Sequence, residues 1–145
     1  MTRRGRRAPA RPAGASRSRA QGFPPLEPAA GTARILILGS LPGRESLARS
    51  QYYAHPRNAF WPLMGDLLGV SPGLPYAERS ALLTSRGVAV WDVLRAARRP
   101  GSLDSRIERA SETANDLAGL LARHPDLALI AFNGATAAAL FRRHC

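Results

Sequence analysis

Three short apolar runs stand out along the chain. The first is ILILG at Ile35 to Gly39, and the others are GVAVWDV at Gly87 to Val93 and LALIAFNG at Leu127 to Gly134. Polar and apolar residues hardly alternate within them, which is typical of parallel strands that are covered on both faces. We therefore predict three buried strands.

The stretches between these runs have the length and the end signals of helices. Gly69, Gly87 and Pro125 each stand at or just after a predicted helix end. The predicted helices are Phe60 to Leu68, Tyr76 to Ser85, Asn115 to Arg123 and Ala135 to the end. Strands that alternate with helices need crossover connections, so the pattern predicts a parallel α/β sheet with helices on both faces.

The first 30 residues have a different composition. They contain seven arginines, five prolines and one acid, Glu27, with few large apolar side chains to bury. We predict a disordered arginine-rich arm over residues 1–30 and one α/β domain over residues 31–145. A transit peptide, which is also rich in arginine and serine, remains an alternative for the arm.

Composition narrows the chemistry. The 145 residues suit one domain, and all 21 cationic residues are arginine, which gives a net charge of +11. Without lysine, neither a Walker-type phosphate loop nor a lysine Schiff base is possible. The positive charge suits a polyanionic partner such as nucleic acid, although a GC-rich coding bias would also favour arginine.

Metal, disulfide and membrane functions find no support in the sequence. The single cysteine allows no internal disulfide, and His55, His124, His144 and Cys145 lack the paired spacing of a zinc site, so we expect no metal. No apolar run approaches the roughly 20 residues that span a bilayer, and the arginine-rich start lacks the apolar segment of a secretory signal. We expect a soluble, cytoplasmic protein.

Candidate chemistry lies after the strands, because ligands of parallel sheets bind beyond the carboxyl ends of the strands. After the first strand, residues 39–61 contain four aromatic residues, His55 and Asn58, and connecting segments of this length are often functional. Asn133 and Gly134 follow the third strand. Together these segments predict one pocket with amide groups and flat apolar faces.

Each of these residues also has a purely structural interpretation. Asn58 and Asn133 could cap the helices that follow them. His55 could be a turn residue, and Asp92 could simply close its strand. The four aromatic residues could belong to the core, namely Tyr52, Tyr53, Phe60 and Trp61.

Several familiar sites do not fit the spacing. The residues around Ser40 lack the Gly-x-Ser-x-Gly of a hydrolase nucleophile elbow, and Gly39 with Gly43 does not make a dinucleotide fingerprint. A pair of catalytic carboxylates is unpromising, since Glu45 is the only acid of the first loop. A pocket for a planar, hydrogen-bonding ligand remains, and a nucleobase fits it well.

The motifs GSLPG, QYYAHPRNAFW, VAVWDVL, GSLDSRI and FNG resemble the hypoxanthine-DNA glycosylase family of the uracil-DNA glycosylase superfamily. The resemblance extends from about Ile35 to Phe141, and the 11 residues from Gln51 to Trp61 are its most specific part. It implies a three-layer α/β/α fold with a short parallel sheet. It also implies that deaminated bases, hypoxanthine above all and uracil or xanthine as alternatives, are excised from DNA by hydrolysis of the N-glycosidic bond.

The resemblance also implies site residues. In this family the asparagine of HPRN is the catalytic one, here Asn58, which would hold the attacking water. Asn133 of FNG would contact the base, and Tyr53 or Phe60 would stack on it. Further predicted contacts are Gly39 and Ser40 to the base, and Arg57, Arg3, Arg4, Arg6 and Arg7 to DNA phosphates.

The sequence departs from the superfamily pattern at its end. A further strand and a Pro-Ser-Thr-Ser-Pro-like loop would be expected, and this chain stops at Cys145 before them, so we expect a C-terminally truncated domain that lacks the last strand. The alternative function is a catalytically inactive DNA-binding remnant. We otherwise expect a monomeric, cofactor-free, monofunctional glycosylase of the cytoplasm, associated with the nucleoid, whose partner is DNA containing deaminated bases.

Overall fold

The computed structural model describes residues 19–145. Its strands are β1 (Arg19–Gln21), β2 (Ile35–Gly39), β3 (Val88–Asp92), β4 (Leu94–Arg98), β5 (Thr113–Ala114) and β6 (Leu129–Phe132). Its helices are α1 (Arg44–Arg49), α2 (Phe60–Leu68), α3 (Tyr76–Ser85), α4 (Leu117–Arg123) and α5 (Ala135–His144), with short 3-10 turns at Asp104–Arg106 and Arg109–Ser111.

A parallel sheet of strand order β3-β2-β6 forms the centre of the fold. Leu36 of β2 lies opposite Ala89 of β3 and Ile130 of β6, and it is completely buried. This sheet confirms the three strands predicted from the apolar runs. All three strands run in the same direction, so their carboxyl ends lie at one edge.

A second, antiparallel sheet was not predicted. It has the order β1-β4-β5, and β4 follows β3 after the single residue Val93. Exposed Arg95 alternates with buried Leu94 and Ala96 in β4. A strand with such alternation and two arginines lacks the continuous apolar run that identified the other strands.

The N-terminal boundary predicted at residue 30 is wrong. Arg19 to Gln21 pair with β4, and the Leu26 N–H and C=O both bond to Val90 at 2.9 Å. The Phe23 ring packs edge-on against Tyr52, with ring centroids 5.2 Å apart. Residues 19–30 therefore belong to the folded domain, because pairing and aromatic contacts hold a segment whose composition alone suggested disorder. The rest of the predicted arm lies outside the described residues.

The helices follow the predictions closely. α2 and α3 have the predicted bounds, and α5 begins at the predicted Ala135. α4 begins two residues later than predicted, because the Asp116 side chain caps it by accepting a hydrogen bond from the Gly119 N–H at 2.9 Å. α1 was missed inside the long segment after β2. None of the helices in the described part of the chain is long and apolar enough to cross a membrane.

Candidate active site

A cavity of about 330 Å³ lies at the carboxyl ends of β2, β3 and β6. This is where a parallel sheet is expected to bind its ligand, and the size lies at the lower end of the range for small-molecule pockets. The turn after β2 and the segment after α1 supply most of its wall. Its lining includes Gly39, Ser40, Tyr53, His55, Asn58, Asp92, Asp104 and Asn133.

Asn58 lies in the wall of this cavity just before α2. Its Oδ1 accepts a hydrogen bond from the Phe60 N–H at 2.9 Å, and its own N–H donates to the His55 carbonyl at 2.9 Å. The side chain therefore bonds to the first N–H of α2, although the N-cap position predicted for Asn58 belongs to Ala59. An amide oxygen has two lone pairs, so Oδ1 can accept a second hydrogen bond from a water in the cavity.

Asn133 follows β6 and also lines the cavity. Its N–H donates to the Leu38 carbonyl at 2.8 Å, which extends the pairing of β6 with β2. The predicted capping role is wrong for this residue, because α5 begins at Ala135 with Gly134 at its N-cap position and has no side-chain cap bond. The Asn133 amide is thus exposed at the cavity and not committed to the helix end.

The two aromatic residues predicted to stack on a base have different positions. Tyr53 lines the cavity, whereas Phe60 is buried behind it, and their rings stack with centroids 4.1 Å apart and an interplanar angle of 26°. Tyr53 has a φ of 54°, a left-handed backbone conformation that is unusual for a bulky residue. The fold therefore holds the Tyr53 ring at the cavity at some conformational cost, with Phe60 supporting it.

The other two aromatic residues of the loop belong to the core. Tyr52 and Trp61 are buried, and the Trp61 indole N–H donates to the Tyr52 carbonyl at 2.9 Å. The Tyr52 hydroxyl donates to the Pro24 carbonyl at 2.9 Å. The core interpretation of these residues is confirmed, and their packing fixes the loop that carries Tyr53 and Asn58.

Two acids, Asp92 and Asp104, also line the cavity. Asp92 ends β3 directly opposite Gly39, and Asp104 accepts a hydrogen bond from the Ser40 hydroxyl at 2.8 Å. Burial and the charge of Asp104 raise the pKa of Asp92 to about 7, while Arg99 opposes the shift. The sequence-based argument against a pair of catalytic carboxylates considered only the first loop, and it did not count these two acids because they come from other segments.

The Arg99 side chain holds the turn after β2 in place. Its guanidinium donates to the carbonyls of Leu41 at 3.3 Å, Pro42 at 2.5 Å and Gly101 at 3.0 Å. Burial lowers its pKa, although Asp104 and Asp92 oppose that shift. Two of these carbonyls belong to the GSLPG turn and the third to the segment after β4, so one side chain ties the turn to that segment.

The predicted DNA-contacting arginines are only partly described. Arg57 is exposed and lines a neighbouring depression that shares Asn58 and Asn133 with the cavity, so it lies beside the cavity opening. Arg3, Arg4, Arg6 and Arg7 lie outside the described residues. Arg19 instead belongs to the fold, because it donates to the Ser111 carbonyl at 2.7 Å.

The histidines have separate partners. His124 is buried and its Nε2 lies 2.9 Å from Glu27, while His144 pairs with Glu112 at 2.7 Å. Within residues 19–145, no group of three His, Cys, Asp or Glu side chains is placed to hold a metal ion.

Sequence comparison agrees with this architecture. Residues 27–144 match the model of the uracil DNA glycosylase superfamily. The chain belongs to this superfamily. The resemblance stated from the motifs is thereby confirmed, and so is the α/β fold class.

Named relatives and a solved structure support the assignment. A hypoxanthine DNA glycosylase of Methanosarcina barkeri is 40% identical over 79% of this chain and 70% of the relative. One of Methanosarcina acetivorans is 44% identical over 69% of this chain and 63% of the relative. A solution NMR structure from M. acetivorans, provisionally named a uracil DNA glycosylase, superposes with a TM-score of 0.73 at 37% identity and covers 87% of this chain and 76% of its own.

The geometry adds three residues to the candidate site or its support that the sequence did not place there. Asp92, Asp104 and Arg99 lie in or beside the motifs VAVWDVL and GSLDSRI, so the motifs were noticed without their acids being placed at the site. The sequence did contain a signal for Asp92. An acid that ends an otherwise apolar parallel strand lies at the end of the sheet where ligands bind.

Proposed function

We propose that this protein is a monofunctional DNA glycosylase that removes deaminated bases, hypoxanthine in particular, by hydrolysis of the N-glycosidic bond. The single observation that carries the proposal is the convergence of Asn58, Asn133 and Tyr53 on one cavity beyond the parallel strands. The superfamily membership and the names of the two Methanosarcina relatives support it.

The cavity suits a base that has been turned out of the helix. An enzyme cannot reach the glycosidic bond of a stacked base, so the nucleotide must leave the duplex and enter a pocket. The Tyr53 ring would stack on the base, with Phe60 packed on its other face at 4.1 Å. The exposed Asn133 amide offers a donor and an acceptor to the edge of the base.

Asn58 would hold the water that attacks the sugar. The water oxygen bonds to C1′ while the bond from C1′ to the base nitrogen breaks, and the base departs with that electron pair. An amide is too weak a base to remove a proton early, so catalysis depends on stabilising the departing base and the cationic sugar. The products are the free base, which takes up a proton from water, and an abasic strand that remains uncut.

The absence of lysine supports a hydrolytic mechanism. Bifunctional enzymes form an imine between an amine and the sugar, and the sequence has no lysine side chain to supply one. We infer that borohydride traps no adduct with DNA once the N-terminal amine is blocked.

The alternative proposal is a catalytically inactive remnant that binds DNA without turnover, and the net charge of +11 favours such binding. Single-turnover incubation with a duplex containing deoxyinosine, followed by alkaline scission at abasic sites, distinguishes the two. Release of hypoxanthine with an intact strand before alkali supports the glycosylase. Binding of the same duplex without release, at enzyme concentrations above the Kd, would instead establish the remnant.

A further inference from the structure

Asp92 presents a buried carboxyl that the fold itself does not use. Only 4% of the residue is exposed, and its Oδ2 is fully buried without a hydrogen-bond partner among the described residues. Buried polar atoms are nearly always paired, so an unpaired carboxyl oxygen in the wall of a ligand cavity indicates a partner that arrives with the ligand.

The neighbouring backbone is built to let this carboxyl approach closely. Asp92 lies opposite Gly39 in the β2–β3 register, and a Cβ at Gly39 would collide with Asp92 Oδ1 and lie 3.0 Å from the Tyr53 hydroxyl. The Asn115 amide fixes the Asp92 backbone by donating to its carbonyl at 2.8 Å. The carboxyl is therefore held in a defined position beside the ring that would stack on the base.

We propose that Asp92 is a further base-contacting residue, and that its protonated carboxyl donates a hydrogen bond to an acceptor atom of the base in the cavity. This inference rests on the proposed function. It concerns how the same site recognises the base and helps it to depart.

The protonation state matters because of the charge that the reaction creates. Negative charge accumulates on the base as the glycosidic bond breaks, so a neutral carboxyl that donates O–H stabilises the departing base. An ionised carboxylate in the same place would repel it and has no proton to donate. A carboxylic acid kept neutral by its surroundings is a suitable donor for such a leaving group.

The charged and titratable groups around Asp92 set this state. Burial is the largest cause that raises the pKa of Asp92, and the charge of Asp104, in the segment after β4, is the second. Together they raise this pKa to about 7, while Arg99, just after β4, lowers it. Tyr53 and Tyr52 face it as neutral phenols, because burial raises the pKa of both. Arg44, Glu45 and His55 line the same cavity.

The test is the pH profile of single-turnover hypoxanthine release between pH 5.5 and 8.5. The wild-type rate should fall by about tenfold per pH unit above about pH 7, as Asp92 loses its proton. Asp92→Asn keeps an N–H donor at every pH, so this fall should disappear from its profile. Asp92→Leu has no donor and should release base at least about tenfold more slowly at pH 6, in line with the loss of a donor to developing charge.

Two further variants separate Asp92 from its neighbours. Asp104→Asn removes the charge that raises the pKa of Asp92, so the fall should move to lower pH. His55→Gln removes the imidazole that also lines the cavity, and the fall should stay where it is. Thermal melting of each variant identifies any loss of rate that comes from unfolding.

The possible outcomes remain distinguishable. If wild-type protein releases no hypoxanthine at any pH, the proposed function fails. If it releases the base and Asp92→Asn retains the wild-type fall above pH 7, Asp92 is not the donor and this inference alone is overturned. A fall that disappears in His55→Gln would also overturn it.

Discussion

Gly39 has no room for a side chain, because Asp92 and Tyr53 both approach its Cα. Gly39→Ala should therefore displace one of these groups, destabilise the protein by about 1–3 kcal/mol and slow base release sharply. Gly43→Ala in the same turn is the matched control, because its Cβ would meet Ser102 only at an ordinary 3.7 Å. Chemical denaturation and single-turnover release measure both effects. Equal behaviour of the two variants would show that close packing at Gly39 is not needed.

Asn58 combines a structural and a proposed catalytic role, and a matched helix cap separates them. Asn58→Ala removes the bond to the Phe60 N–H, and Asp116→Ala removes a comparable bond to the Gly119 N–H far along the chain in α4. Each should cost about 0.5–2 kcal/mol of stability. Only Asn58→Ala should also lower single-turnover release, by roughly a hundredfold or more, the usual loss when a group that stabilises the transition state is removed.

One outcome would contradict a catalytic role for Asn58. If both variants melt earlier by a similar amount and both release base at the wild-type rate per folded molecule, Asn58 only stabilises the start of α2. Asn133→Ala, which loses no cap bond in this fold, should then be measured for base preference against uracil.

At the residue scale the sequence identified asparagines more readily than acids. Asn58 and Asn133 stand next to apolar runs, where a polar side chain is conspicuous, and both line the cavity. The burial of Asp92 depends on segments that are distant in sequence, among them the loop that carries Tyr53. No pattern local to VAVWDVL reveals that one oxygen of its acid lacks a partner.

At the scale of elements, the segment before β2 is anchored to α4 through Glu27. Its carboxylate accepts a bond from Arg123 at 2.7 Å and from His124 Nε2 at 2.9 Å, while His124 Nδ1 accepts the Ala33 N–H at 3.2 Å. The Nε2 proton therefore belongs to the bond with Glu27. This contact joins the N-terminal segment to the end of a helix almost 100 residues later.

Loss of this anchor should be measurable. Glu27→Ala leaves the buried His124 without its acceptor and should cost about 1–3 kcal/mol, whereas Glu108→Ala removes only an exposed ion pair with Arg98 and should cost at most about 1 kcal/mol. Denaturant unfolding of the two variants provides the comparison. Similar losses would mean that the anchor contributes no more than a surface pair.

The same contact predicts a pH dependence of stability. The hydrogen bond from Arg123 lowers the pKa of Glu27 below its ordinary value of 4.5, so its contribution is present above that value and is lost as the pH falls through the lowered pKa. The melting temperatures of wild type and Glu27→Ala should therefore differ near pH 6 and converge in acid. A constant difference down to pH 2 would contradict this assignment.

Strands with continuous apolar runs could be predicted from the sequence. Strands that form only because they pair with another strand could not. β2, β3 and β6 are recognisable because strands covered on both faces need apolar residues at nearly every position. β1 is three residues, RAQ, and its strand geometry comes from pairing with β4. Its sequence has no preference that would distinguish it from the arginine-rich residues before it.

At the scale of the whole molecule, the candidate site exists only once the sheet is assembled. Its wall combines the turn after β2, the segment before α2, the end of β3, the residues after β4 and the residue after β6. The rule that ligands bind at the carboxyl ends of parallel strands predicted the end of the sheet at which the cavity lies. The volume of the cavity and the presence of both Asp92 and Asp104 in its wall could not be predicted, because they depend on packing between segments that are distant in sequence.

The charge of the whole molecule leads to a prediction on DNA binding. Residues 1–18 contain six of the 21 arginines and no acid, and they precede the first strand, so their deletion leaves every described contact in place. Arg19, the seventh arginine of the predicted arm, should be kept because it bonds to Ser111. If about five of the six contact phosphates of duplex DNA, the log–log salt slope of binding should become shallower by about 4 to 5 on deletion.

The measurement is the Kd for an inosine-containing duplex and for its unmodified counterpart between about 50 and 200 mM salt, a range over which contacts of this number change the affinity strongly. A full-length variant with glutamine at the six arginines is the matched control, because it keeps the length of the segment and removes its charge. Both altered proteins should show the same shallower slope and an unchanged preference for inosine, since phosphate contacts carry no base information. An unchanged slope in the glutamine variant would mean that Arg3, Arg4, Arg6 and Arg7 do not contact DNA and that Arg57 and the folded domain account for binding.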